Sequence, residues 1–185
     1  MSKTNMNEIE NRALKYAKKM HSGQKRKFSN LPYISHPVAV AQIVQRYTKD
    51  SNTIATAFLH DILEETVKKQ DTKITLTEII KYTNYEVAAM VSALSNSASM
   101  KKLFVSKAAY MADKMLRMTP NELLVKLADR LHNVSDIDTV STSFANNYSK
   151  ETRYILSKVE QRSDLEASHL ELISEIYLSL DLANK

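Results

Sequence analysis

Thr119-Pro120-Asn121-Glu122-Leu123-Leu124-Val125-Lys126-Leu127-Ala128-Asp129-Arg130-Leu131-His132-Asn133 is the stretch on which the fold reading turns. Thr119 and Glu122 have the spacing of a capping box, and Pro120 stands at the first helical position, so a helix opens here. Leu123, Leu124, Leu127, Ala128 and Leu131 recur at helical spacing and carry that helix to about Ile137. Outward from this segment the same signals return. Thr75 to Glu78 and Ser163 to Glu166 read as further capping boxes, and Ser35-His36 before Pro37 as another helix start. Helices are predicted at about 7–21, 37–47, 52–66, 75–82, 84–95, 104–117, 120–138, 149–160 and 164–181. One stretch, Ser22 to Ser35, is irregular and holds Gly23, Pro32 and the basic run Lys25-Arg26-Lys27. No repeat, low-complexity segment or linker is visible, so the expectation is an all-α chain forming a single domain over residues 1–185.

Composition supports this and removes several chemistries. A chain of 185 residues can bury one substantial core, and 43% hydrophobic with 25% charged residues is a globular balance. Gly23 is the single glycine, which excludes a GxGxxG dinucleotide fingerprint and a Walker phosphate loop. The lack of cysteine excludes disulfides, thiol nucleophiles, thiolate zinc sites and iron–sulfur clusters. Any metal must therefore be held by His, Asp, Glu or water. Lys and Arg exceed Asp and Glu by 26 to 21, a net charge of +5. That suits an anionic small molecule such as a nucleotide and is too mild to imply a nucleic-acid partner. Met1 to Asn11 is polar, without the apolar core of a signal peptide, and no apolar run approaches the roughly 18 residues of a membrane span. The expectation is a cytoplasmic protein with no membrane partner; its oligomeric state is not set by sequence.

The chemistry concentrates in three places. The segment from Ser51 is apolar through Ile54, Ala55, Ala57, Phe58 and Leu59, then places His60, Asp61, Glu64 and Glu65 within six residues. On one continuous helix His60 would stack over Glu64, and Asp61 over Glu65. Buried carboxylates without partners cost several kcal/mol, so they call for a cation, and a divalent metal held by His60 and Asp61 would supply it. The plainer alternative is a helix end in solvent, because a His-Asp dipeptide is common. In the second place, Asp129, Asn133 and Asp136 share one stripe of a core-type helix; Asp129 there would cap, pair with an arginine, or ligate a metal. In the third, Pro32-Tyr33-Ile34-Ser35-His36-Pro37 fixes a histidine at a helix start, as ligand, cap or core residue. Together His36, His60, Asp61 and Asp129 would suit Mn²⁺, Fe²⁺ or Zn²⁺, with positions left for water and substrate. Their order and helical context are similar to those of the HD phosphohydrolase superfamily, which implies a helical bundle with a metal site between helices.

Longer stretches narrow the resemblance. His21-Ser22-Gly23-Gln24-Lys25-Arg26-Lys27, followed by Pro32 to Val38, resembles the start of the Rel/SpoT alarmone hydrolase domain. His60-Asp61-Ile62-Leu63-Glu64-Glu65-Thr66 resembles that family's HD and acidic-pair motif, and Val125 to Asn133 its VKLADRLHN motif. The likeness covers about residues 10–138 well and the C-terminal helices loosely. The chain stops where the synthetase and regulatory domains of long members begin, so a small stand-alone alarmone hydrolase is expected, similar to the short members of metazoa. The resemblance implies one Mn²⁺ on His36, His60, Asp61 and Asp129, with Glu64 and Glu65 activating water. That water would attack the 3′-linked phosphate of the guanosine alarmone ppGpp, releasing pyrophosphate and leaving GDP. It places Arg26 and Lys27 against base and phosphates, Lys25 as added charge, and Asn133 on the nucleoside.

Several positions depart from the family pattern. Glu64-Glu65 replaces Glu-Asp, Phe28-Ser29-Asn30 replaces a common glycine, and Ser95-Asn96-Ser97 and Ser135-Asp136 replace other usual residues. All border the expected nucleotide pocket, which leaves guanine against adenine open. Two other readings also stay open: a phosphohydrolase of deoxynucleoside monophosphates or NADPH, and a module that binds alarmone without turnover. Elsewhere, Met111, Met115, Met118 and His132 are expected to pack in the core and His169 to lie on the surface. Lys126 and Arg130 are expected on a solvated or salt-bridged face.

Overall fold

Seven consecutive buried residues, Thr53 to Leu59, form the centre of the N-terminal half. The structure, a computed structural model, describes residues 6–27, 30–64, 75–137 and 140–183. Among these the regular elements are all helical, as expected, apart from an isolated β-bridge between Lys25 and Pro32. The chain divides into two compact units, Met1–Ser95 and Asn96–Lys185.

The first unit holds α1 (Glu8–Met20), α2 (Ser35–Tyr47), α3 (Ser51–Leu59), α4 (Leu76–Tyr82) and α5 (Tyr85–Leu94). Helix α3 packs against α1, α2 and α5, which is why it is buried on all sides from Thr53 to Leu59 rather than amphipathic. Its start is fixed locally: the Asp50 carboxylate accepts from the Thr53 amide. The Ser51 hydroxyl donates to Glu10 at 2.7 Å and so joins α3 to α1. The predicted box at Thr75 and Glu78 opens α4.

Two features of this unit matter for the site. The helix predicted over 52–66 stops at Leu59; His60 and Asp61 form a turn, and residues 62–64 are helical again. The Glu64 amide donates to the Asp61 carbonyl at 3.0 Å, a three-residue link in place of the helical four. No glycine or proline causes the break. The His60 ring instead takes the Ala57 carbonyl, the acceptor that a continuing helix would offer to the Asp61 amide. Glu64 therefore does not continue the face of α3. After α1 the chain turns at Gly23, whose φ of +73° is one that side-chain-bearing residues avoid. Asn30, in the stretch that replaces the family's glycine, takes a φ of +50°, which asparagine tolerates.

The second unit holds α6 (Ala98–Lys101), α7 (Lys107–Leu116), α8 (Pro120–Ser135), α9 (Thr142–Val159) and α10 (Ala167–Leu182). Helix α8 packs on α10 and α7 on α9. Met111, Met115 and Met118 are buried as expected, with Leu123, Leu127, Leu156, Leu172 and Ile176. His132 is half-buried, its Nδ1 4.0 Å from Asp136. The Thr119–Glu122 box is present, with Pro120 in the first turn. The box expected at Ser163–Glu166 is not: α10 begins at Ala167, and the Glu166 amide donates to Nδ1 of His169 at 3.0 Å.

His169 also corrects the expectation of a surface residue. It is 1% exposed, and its Nε2 donates to the Pro120 carbonyl at 2.9 Å. Because one ring nitrogen accepts and the other donates, the neutral ring joins the start of α10 to the start of α8. His169→Ala removes a buried ring together with its hydrogen bonds to two partly exposed backbone groups, and a loss of about 1–3 kcal/mol is expected in urea unfolding. A loss below about 0.5 kcal/mol, the scale of an ordinary surface change, would refute this role.

Candidate functional site

Helix α3 delivers His60 and Asp61 at its end, and α2 delivers His36 in its first turn. The three are buried together: the His36 and His60 rings have centroids 5.1 Å apart, with ring nitrogens within 4.8 Å. Nδ1 of His60 must donate to the Ala57 carbonyl, 2.9 Å away, since a carbonyl only accepts. With Nδ1 committed to that carbonyl, Nε2 is the ring nitrogen through which a neutral His60 would ligate a metal.

Asp61 is gripped from two sides. The Tyr33 hydroxyl donates to Oδ2 at 2.5 Å, and Nε2 of His21 lies 3.4 Å from Oδ1. Neither His21 Nε2 nor Asp61 Oδ1 has a hydrogen-bond partner although both are buried. Burial pushes the Asp61 carboxyl up, but His60, His21 and His36 reverse this and hold it well below the usual carboxylate range. Burial pushes His21 down; Asp61 and Gln24 overcome that and raise it above the ordinary histidine value. The first unit thus contains a buried cluster of three histidines and an ionised aspartate. His21 and Tyr33 were not among the predicted site residues, although both lie inside the motifs that carried the family resemblance.

The basic run sits on a narrow loop. The Arg26 amide donates to the Leu31 carbonyl at 2.8 Å and the Tyr33 amide to the Gln24 carbonyl at 2.9 Å, on either side of the Lys25–Pro32 bridge. Lys25 and Lys27 are exposed and Arg26 is half-buried. Glu64 is half-buried beyond the Asp61 turn; Glu65 lies outside the described residues.

In the second unit Asp129 is buried on α8, and both of its oxygens are engaged from its own helix. Nζ of Lys126 donates to Oδ2 at 2.9 Å, and the Asn133 amide donates to Oδ1 at 2.6 Å. Asn133, expected on the nucleoside, therefore already serves the carboxylate. Lys126 and Arg130 are buried rather than solvated. Arg130 donates to the Thr152 hydroxyl at 3.0 Å and lies 5.2 Å over the Tyr148 ring. A buried lysine three residues before an aspartate is the trace that sequence could have offered of the Lys126–Asp129 pair.

An all-helical fold with a buried His-Asp cluster defines a class of helical metal-site domains. The chain belongs to the HD-domain family, whose pattern matches residues 13–165. It is 33% identical over 157 residues to a probable guanosine-3′,5′-bis(diphosphate) 3′-pyrophosphohydrolase of Synechocystis, covering 82% of this chain and 20% of that protein. It is 35% identical over 169 residues to the GTP pyrophosphokinase rsh of Brucella ovis, covering 88% and 21%. The chain thus spans about a fifth of the length of these curated relatives. Its fold is shared with the solved structure of a metazoan ortholog of SpoT that hydrolyzes ppGpp. The TM-score is 0.75 at 22% identity, over 93% of this chain and 95% of that one. Among the described residues no helix is long and apolar enough to cross a membrane.

Proposed function

We propose that this chain is a cytoplasmic, Mn²⁺-dependent 3′-pyrophosphohydrolase of guanosine or adenosine polyphosphate alarmones, with residues 1–185 working as one HD domain. The buried cluster of His36, His60 and ionised Asp61, joined through Tyr33 to the loop bearing Arg26 and Lys27, carries this reading. The cluster suits a divalent cation: imidazole and carboxylate donors are buried together, His60 has Nδ1 committed to the Ala57 carbonyl and would ligate through Nε2, and Asp61 Oδ1 has no hydrogen-bond partner. His36, His60, Asp61 and Asp129 hold the metal in this reading. Once bound, the cation supplies Lewis acidity, acidifying water and polarising a phosphoryl oxygen.

The chain's own groups do the rest. Glu64, with Glu65 beside it in sequence, takes a proton from the attacking water. The water oxygen bonds to the phosphorus carried on the ribose 3′ oxygen, and the bond between them breaks. The 3′ oxygen leaves with the proton that Glu64 took from the water, pyrophosphate departs, and the nucleoside 5′-di- or triphosphate (GDP or GTP from a guanosine alarmone) remains. Arg26 offers a planar cation to stack on the base, and Lys27 and Lys25 offer charge to the phosphates. Asn133 keeps its amide on Asp129 and has its carbonyl oxygen for the nucleoside.

Product analysis tests the reading, with ppGpp, ppApp, GTP, deoxynucleoside monophosphates and NADPH each supplied with Mn²⁺ or with EDTA. Mn²⁺-dependent pyrophosphate from ppGpp or ppApp is expected, and the better substrate identifies the preferred base. Orthophosphate from a monophosphate or NADPH, with alarmones untouched, overturns the substrate assignment. Tight alarmone binding without turnover overturns the hydrolase.

A further inference from the structure

We infer that Tyr33 and His21 are positioning residues for Asp61 that make capture of the nucleotide and capture of the metal reinforce each other, an inference resting on the site proposed above. The basic loop has two stems, and both end on this carboxylate. On one stem the Tyr33 hydroxyl reaches Oδ2 directly at 2.5 Å. On the other, the Gln24 amide donates to the Met20 carbonyl at 3.2 Å, which turns its oxygen toward Nδ1 of His21 at 2.8 Å. Nε2 of His21 then faces Oδ1 of Asp61 at 3.4 Å. The stems are themselves joined by the Tyr33 amide to the Gln24 carbonyl and by the Lys25–Pro32 bridge.

Packing stiffens this frame. The His21 and Tyr33 rings lie 4.8 Å apart, and Tyr33 meets His36 edge-on at 6.0 Å. Arg26 and Lys27 follow directly on stems joined in this way, so a shift of the stems moves the groups that meet Asp61. Anything that orders the loop, as a nucleotide on Arg26 would, also orders the carboxylate. By linkage, a metal on Asp61 must favour the nucleotide by the same factor. Removing groups that orient a ligand typically costs metal affinity about ten- to a hundredfold.

The test uses the full chain carrying Glu64→Gln to prevent turnover, with and without Tyr33→Phe, and His21→Gln as a second variant. Free Mn²⁺ is read by its electron paramagnetic resonance signal, with and without ppGpp, after correction for Mn²⁺ held by ppGpp alone. Before Tyr33→Phe is added, ppGpp should tighten Mn²⁺ binding. Tyr33→Phe, which keeps the ring, should weaken Mn²⁺ binding about ten- to a hundredfold and shrink the tightening, with little change in Tm. Unchanged Mn²⁺ affinity overturns the inference, even where Tm falls. So does weaker Mn²⁺ binding with the tightening by ppGpp intact. If the chain with Tyr33 intact binds no Mn²⁺, the site reading fails together with the inference; if it binds Mn²⁺ and the variants bind it equally well, the inference fails alone.

Discussion

Asp61→Ala is expected to abolish Mn²⁺ binding and pyrophosphate release together. The carboxylate is the anionic centre of the first unit's cluster, with His60, His21 and His36 arranged around it. Without it the imidazoles lose the negative charge that a divalent cation needs nearby. Loss of the cation removes several kcal/mol of transition-state stabilisation, so the rate should fall by at least about a thousandfold. Because Asp61 is buried, Asp61→Asn serves as a partner variant: it keeps the shape, removes the charge and should behave alike. Circular dichroism shows whether each variant folds. A folded variant that still binds Mn²⁺ with parental affinity removes Asp61 from the ligand set.

Glu64→Gln is expected to separate the two losses. The carboxylate lies past the turn at His60 and Asp61 and is assigned to the proton of water rather than to the metal. Mn²⁺ affinity should stay within about twofold of the parent, while turnover of ppGpp falls about a hundred- to ten-thousandfold, the usual worth of a positioned base. Glu65 is the group that would supply the residual rate. Full activity in Glu64→Gln would move the base to another residue, and joint loss of Mn²⁺ would make Glu64 a ligand.

What could be read from sequence follows from how local each determinant is. The boxes at Thr75 and Thr119 each need two side chains three residues apart, and both are present. Helix α9 begins at Thr142, well before the predicted start near 149, because Phe144-Ala145-Asn146-Asn147 has no helical apolar pattern; the Ser141 hydroxyl nonetheless caps the helix. The break after Leu59 was hidden because its cause is one side-chain bond from His60 to Ala57, not a glycine or proline. The burial of His169 is not visible in sequence because one of its partners, the Pro120 carbonyl, is remote along the chain. The site follows the same division. Residue type and motif single out His36, His60 and Asp61, which the fold buries together, whereas the groups that meet the carboxylates, Tyr33, His21 and Lys126, depend on which atoms come together once the chain has folded.

The early end of α3 also sets the sign of the local field. A helix carries roughly half a negative charge at its C-terminal end, and α3 stops where His60 and Asp61 begin. Its backbone therefore attracts a cation there without help from any side chain, and repels a polyphosphate. An incoming nucleotide meets this negative pole and the Asp61 carboxylate together, so its phosphates need an opposing source of charge. In the proposed function Lys25, Arg26 and Lys27 would provide one, on a loop whose stems reach that same carboxylate. Salt that screens these three residues should therefore weaken alarmone capture far more than it weakens capture of the metal.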